Sequence, residues 1–137
     1  MKKLIAVLFG LFLIQSSIYG QTLKCKDFKT GKFELIDEKN NVKYILERFK
    51  TYQTEEGFDL ETGKVVLEKA FLKLKWIDKC SYNLLLDTDK TVAKEDELAA
   101  NARGGVTSKI VEINGNCATI ICVLGNDEAK YKICKIK

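Results

Sequence analysis

Leu72-Lys73-Leu74-Lys75-Trp76, followed across Asp78-Lys79 by Cys80-Ser81-Tyr82-Asn83-Leu84-Leu85-Leu86, is the stretch that decides the fold. Leu72, Leu74 and Trp76 alternate with Lys73 and Lys75. A strict period of two places apolar side chains on one face of a strand and charged ones on the other. Cys80, Tyr82, Leu84 and Leu86 alternate in the same way with Ser81 and Asn83. Two half-buried strands around a tight turn predict an antiparallel hairpin.

The same signature recurs on either side. Upstream, Gly31 to Ile36 alternates around Phe33 and Leu35, and Glu38-Lys39-Asn40-Asn41 is a polar turn. Val42 to Phe49 is rich in β-branched and aromatic residues, and Thr51 to Glu55 either continues it or forms a separate strand. Glu61-Thr62-Gly63 supplies the next turn, and Val65 to Ile77 is the long strand that contains the deciding stretch. Downstream, Val106 to Ile113, Cys117 to Leu124 and Ala129 to Ile136 read as three more strands. Asn114-Gly115 is a strong hairpin signal, with both central positions expected at positive φ, and Gly125-Asn126-Asp127 closes the last hairpin. Thr91 to Arg103 departs from this rhythm, with Val92, Leu98, Ala99 and Ala102 at helical spacing ahead of Gly104-Gly105. It predicts one amphipathic helix covering an end or edge of the sheet. The expected class is mainly β, an antiparallel meander or small lipocalin-like barrel of about seven to eight strands with one short helix.

The N-terminus predicts export. Met1-Lys2-Lys3 is a positive start, Leu4 to Ile14 is apolar apart from Gly10, and Ser16 to Gly20 is a polar, small-residue exit. That layout is a signal peptide over residues 1–20, cut before Gln21, leaving 21–137 as a single β-rich domain. The apolar run spans about eleven residues, short of the roughly twenty a membrane-spanning helix needs, so no span is expected after cleavage. The first cysteine, Cys25, follows Leu23-Lys24 and lies well past the apolar run, so a lipid anchor is not expected. The expected location is the periplasm or the exterior.

Composition narrows the chemistry. With no histidine in the chain, triads of the Ser-His-Asp or Cys-His kind and histidine-based zinc sites are excluded. Lys2 and Lys3 supply half of the formal net charge of +4, and the remaining charges are interspersed along the sequence. A basic face for nucleic acid or an anionic membrane is therefore not expected. The carboxylate clusters Glu55-Glu56, Glu95-Asp96-Glu97 and Asp87/Asp89 lack metal-site spacing and read as solvated surface. No catalytic residue, metal ligand or cofactor is expected.

Five cysteines, Cys25, Cys80, Cys117, Cys122 and Cys134, follow the signal segment. In an exported chain of this size they predict disulfides, at most two bridges with one thiol left over. Cys25–Cys80 is the favoured bridge, since it ties the start of the fold to its middle. A second would join two of Cys117, Cys122 and Cys134. Cys117 and Cys122 fall at odd spacing and point to opposite faces of a strand, against shared metal binding.

The candidate ligand-binding residues are aromatic or buried and polar. Trp76 sits on the apolar face of the best strand, where core packing competes with stacking on a flat ligand. Tyr44, Tyr82 and Tyr131, with Tyr52, lie in separate strands and could line one inner face, suiting a small apolar ligand. Arg48 lies mid-strand, where an inward guanidinium needs a partner, and Glu55 on the next strand is the candidate.

Cys25-Lys26-Asp27-Phe28-Lys29-Thr30-Gly31-Lys32-Phe33 and Lys75-Trp76-Ile77-Asp78-Lys79-Cys80-Ser81-Tyr82 together resemble a family of small exported bacterial proteins. These open Cys-x-Asp-Phe-Lys-Thr-Gly-x-Phe and carry a later Lys-Trp-x-x-x-Cys-x-Tyr. The likeness is good over about residues 25–87 and looser beyond, where the helix-like insert and three extra cysteines depart from it. The resemblance implies a small antiparallel β fold and supports the Cys25–Cys80 pair. Some members bear a DNA topoisomerase IV label, which a short, nearly neutral, exported chain does not support. Thr30-Gly31-Lys32-Phe33 also resembles the Gly-x-Trp opening of lipocalin-like barrels, with Phe in place of Trp. The expected function is a non-enzymatic binding or interaction protein of the cell envelope, its partner another protein or a small apolar molecule. A structural or protective envelope protein is the alternative, ahead of a carboxylate- or thiol-dependent enzyme. A closed sheet around an apolar cavity would favour ligand binding.

Overall fold

The computed structural model describes residues 23–137, so the expected signal segment lies outside the described residues. A single 3-10 turn at Cys25–Phe28 leads into β1 (Gly31–Asp37), β2 (Val42–Arg48), β3 (Tyr52–Asp59), β4 (Val65–Trp76) and β5 (Ser81–Leu86). Helix α1 (Glu95–Ala102) precedes β6 (Val106–Asn114), β7 (Cys117–Leu124) and β8 (Asp127–Ile136). Each strand pairs antiparallel with the next, and β8 returns to β1, closing an eight-stranded up-and-down barrel. Closure leaves no unpaired edge to protect. Of the meander and the small barrel that the alternation allows, the fold is the barrel with one short helix, and the stretch from Thr51 to Glu55 belongs to a separate strand, β3, that begins at Tyr52.

Short turns carry the chain between strands. Asp59 Oδ1 accepts bonds from the Glu61 and Thr62 amides and the Thr62 hydroxyl, and Asp78 Oδ1 from the Cys80 and Ser81 amides. These bonds pull both carboxyls below their ordinary values. The β6–β7 hairpin differs from the expected form. Its central pair is Gly115-Asn116, and among the described residues only Gly115 of the two takes positive φ (61°), as in a type II′ turn. At Gly57, where β3 and β4 lose register, a Cβ would sit 2.8 Å from Leu67 Cβ, so a bare backbone lets the strands close together.

The barrel has two unlike ends. One collects the 3-10 turn, the β2–β3, β4–β5 and β6–β7 connections and the C-terminus. Here Phe28 plugs the barrel, fully buried and stacked on Phe33 at 5.6 Å, in a core cluster with Leu35, Leu46, Ile110, Ala118, Ile120 and Ile133; Leu74, Tyr82 and Leu84 form a second cluster. Both bridges sit at this end. Cys25–Cys80 ties the plug to the β4–β5 turn, and Cys117–Cys134 joins registered neighbours on β7 and β8, leaving Cys122 free. The other end carries the β1–β2, β3–β4, β5–β6 and β7–β8 connections and is open.

Two expectations change. Helix α1 is shorter than Thr91 to Arg103 and buries none of its residues, Val92 is 96 % exposed, and among the described residues the closed barrel leaves no sheet edge for it to cover. It is held by polar bonds instead: Asn101 accepts from the Leu86 amide and donates to the Leu86 carbonyl, both at 2.9 Å. Thr91 lies outside the helix, which starts at Glu95, and its hydroxyl accepts a bond from the Phe71 amide. Charges interspersed in sequence also sort in space. Lysines such as Lys24, Lys26, Lys29, Lys50 and Lys79 outnumber acids at the closed end. Acids such as Asp37, Glu38, Asp59, Glu61, Asp127 and Glu128 outnumber lysines at the open one. Alternate turns fall at opposite ends of an up-and-down barrel, so a sequence that mixes charges can still polarise the molecule.

Candidate ligand cavity

Inside the barrel lies a cavity of about 480 Å³. Its wall is mainly apolar: Leu35 from β1, Leu46 from β2, Leu72 from β4, Leu84 from β5 and Ile120 from β7. Leu67, Val106, Leu124, Ala129, Tyr44 and Tyr131 continue it toward the mouth, where Asp37, Asp127 and Glu128 stand. Arg48, Gln53, Glu55, Tyr82, Ser108 and Cys122 form the polar floor and lower wall. Each reaches the interior because its strand places alternate residues inward, as with Tyr44, Leu46 and Arg48 on β2.

Arg48 organises the floor. It is 2 % exposed, donating from Nε to Gln53 Oε1 (2.6 Å), from Nη1 to the Phe28 carbonyl (3.0 Å) and from Nη2 to the Tyr82 hydroxyl. Its guanidinium carbon lies 4.3 Å from the Tyr82 ring centroid and 5.2 Å from that of Phe33. The bond to Phe28 clamps the plug from within. The expected Glu55 partner is reached through an intermediate: Gln53 Nε2 donates to Glu55 Oε1 at 2.7 Å. Burial pushes the Glu55 carboxyl above its ordinary pKa, against the opposing pull of the Gln53 bond and the Arg48 charge.

Burial likewise raises Tyr44, with Asp37 and Glu55 adding to it, and Tyr131, with Asp37 and Cys122 adding. Tyr82 is raised by burial against the pull of Arg48. The Cys122 thiol, which accepts a bond from the Ser108 hydroxyl at 3.2 Å, is pushed up chiefly by burial. It is therefore a protonated, weakly nucleophilic thiol at neutral pH.

Of the sequence candidates, Tyr44, Tyr82, Tyr131 and Arg48 come together on the cavity. Trp76 stands apart at the closed end, its ring 4.8 Å from that of Tyr82 and with Lys29 Nζ 5.0 Å from its centroid. Its buried indole N–H has no acceptor among the described residues. Tyr52 stacks on Phe49 at the β2–β3 turn. Gln53, Ser108 and the cavity position of Cys122 are not among the candidates the sequence offers. The signal for Gln53 was present, since it shares a strand face with Glu55. Among the described residues no cluster of three or more His, Cys, Asp or Glu side chains is placed to hold a metal, and no helix is long and apolar enough to cross a membrane.

Family models, curated proteins and solved structures give no match to this chain.

Proposed function

We propose that the protein is an exported, non-enzymatic binding protein of the periplasm or exterior that holds a small, largely apolar molecule inside its barrel. The observation that carries this reading is the cavity of about 480 Å³, within the roughly 300–1,000 Å³ range of small-molecule sites, with an apolar wall and a few convergent polar groups. Two disulfides are compatible with maturation in an oxidising compartment. A closed eight-stranded barrel suits such a role because its interior is wide enough for side chains to fill one end and for one small ligand to occupy the other.

Native mass spectrometry of the protein, purified undenatured from the envelope fraction of its source, tests this. The expected spectrum shows two disulfides and a reproducible small-molecule adduct. A bare monomer that also fails to take up an apolar fluorescent probe would overturn the proposal.

A further inference from the structure

The floor of the cavity narrows the chemistry of what can be held there. A guanidinium carries five N–H donors. In Arg48, Gln53 takes the Nε–H, the Phe28 carbonyl takes one on Nη1 and the Tyr82 hydroxyl takes one on Nη2. One N–H on each terminal nitrogen is left without an acceptor among the described residues, on a side chain that lines the cavity. The charge is also short of compensation, because Glu55 is reached only across the Gln53 amide and burial favours its neutral form. A buried cation with free donors is costly unless an anion meets it.

We propose that the bound molecule is an amphiphile with a single carboxylate, seated on Arg48, and an apolar tail running along Leu35, Leu46, Leu72 and Ile120 toward the mouth. This rests on the reading of the barrel as a ligand-binding cavity. One guanidinium balances one negative charge; a dianionic phosphomonoester would leave a surplus charge in an apolar enclosure. Orientation follows from the mouth. Asp37, Asp127 and Glu128 repel an anionic head placed there, so the head goes inward and the tail outward.

The test is competition by decanoate, decanol and decylamine against an apolar fluorescent probe in the oxidised protein produced from the full chain. Decanoate is expected to bind at least about tenfold tighter than decanol, as a charge-assisted hydrogen-bonded pair requires. Equal binding of acid and alcohol would overturn the carboxylate and leave the cavity reading intact. Tightest binding by the amine would overturn it in favour of the acidic mouth, and no binding by any of the three would sink both readings. Carbon-13 NMR of carboxyl-labelled decanoate adds a second readout. The bound head should stay ionised to lower pH than in water; a raised pKa would place it against the apolar wall instead. Arg48→Gln should abolish the preference for acid over alcohol. Because Arg48 also holds Phe28, the ligand series on the unaltered chain stands independently of that variant.

Discussion

At the closed end of the barrel, the 3-10 turn is held by a disulfide to Cys80, by the Arg48–Phe28 bond and by Lys135 Nζ donating to the Asp27 carbonyl at 2.8 Å. At the open end, the longest connection, between β5 and β6, is held by hydrogen bonds, between Asn101 and the Leu86 backbone, from the Phe71 amide to Thr91 and from Asn83 to the Gly104 carbonyl, and carries a helix that buries none of its residues. One end is cross-linked and filled, the other hydrogen-bonded and hollow. For the ligand-binding role proposed above, that asymmetry would confine opening to the region of lowest local stability. The contrast can be broken at either end.

The largest effect is expected from replacing both Cys25 and Cys80 by serine. The bridge closes a loop with a sequence separation of 55. In the chain-entropy model its loss costs about 4 kcal/mol of stability, to be read from the urea midpoint of the purified variant. A loss below about 1 kcal/mol would show that the burial of Phe28 and the Arg48 and Lys135 bonds hold the plug without the bridge. Replacing Cys117 and Cys134 together should cost somewhat less, about 3 kcal/mol, because their separation is 17. If the second pair proved the more costly, the plug would not be the anchor of the closed end.

Asn101→Ala tests the open end. It leaves the Leu86 amide and carbonyl without their side-chain partners, a cost of about 1–2 kcal/mol. The loss should be local: amide exchange should quicken at Leu86 and through α1 while Phe33 and Ile133 at the closed end keep their protection. Uniform acceleration would mean that the two ends unfold as one unit.

Much of this architecture follows from local pattern. The period of two in Leu72 to Trp76 and in Tyr82 to Leu86 marks β4 and β5, and the inward positions of Tyr44, Leu46 and Arg48 come from the same rule. Closure does not, because it depends on β1 meeting β8, with Glu34 opposite Cys134, and no local spacing encodes a pairing that distant. The disulfide partners of the C-terminal cysteines likewise emerge only from register, which sets Cys117 against Cys134 and turns Cys122 inward. The helical spacing from Val92 to Ala102 predicts a longer helix than the one that forms, because alanine and leucine report propensity whereas a polar side chain, Asn101, provides the attachment. The cavity itself is a property of eight strands at a given tilt, and only its lining is written residue by residue.

The smallest expected effect concerns Glu55, between the two ends, where burial raises its pKa and Gln53 and Arg48 offset part of that rise. Between the ordinary glutamate value of 4.5 and the raised native one, the folded protein keeps a proton that the unfolded chain has released. Stability therefore falls as pH rises through that window, and the contribution is full only below the ordinary value. Glu55→Gln preserves an acceptor for the Gln53 amide and removes the titration, so its urea midpoint should be flatter with pH than that of the parent. Tyr44, whose pKa is raised first by burial and then by Asp37 and Glu55, should move back toward its ordinary value of 10.0 in the same variant. An unchanged slope with an unchanged Tyr44 titration would mean that Glu55 is already solvated through the open mouth, and that the hollow half of the barrel reaches down to the floor.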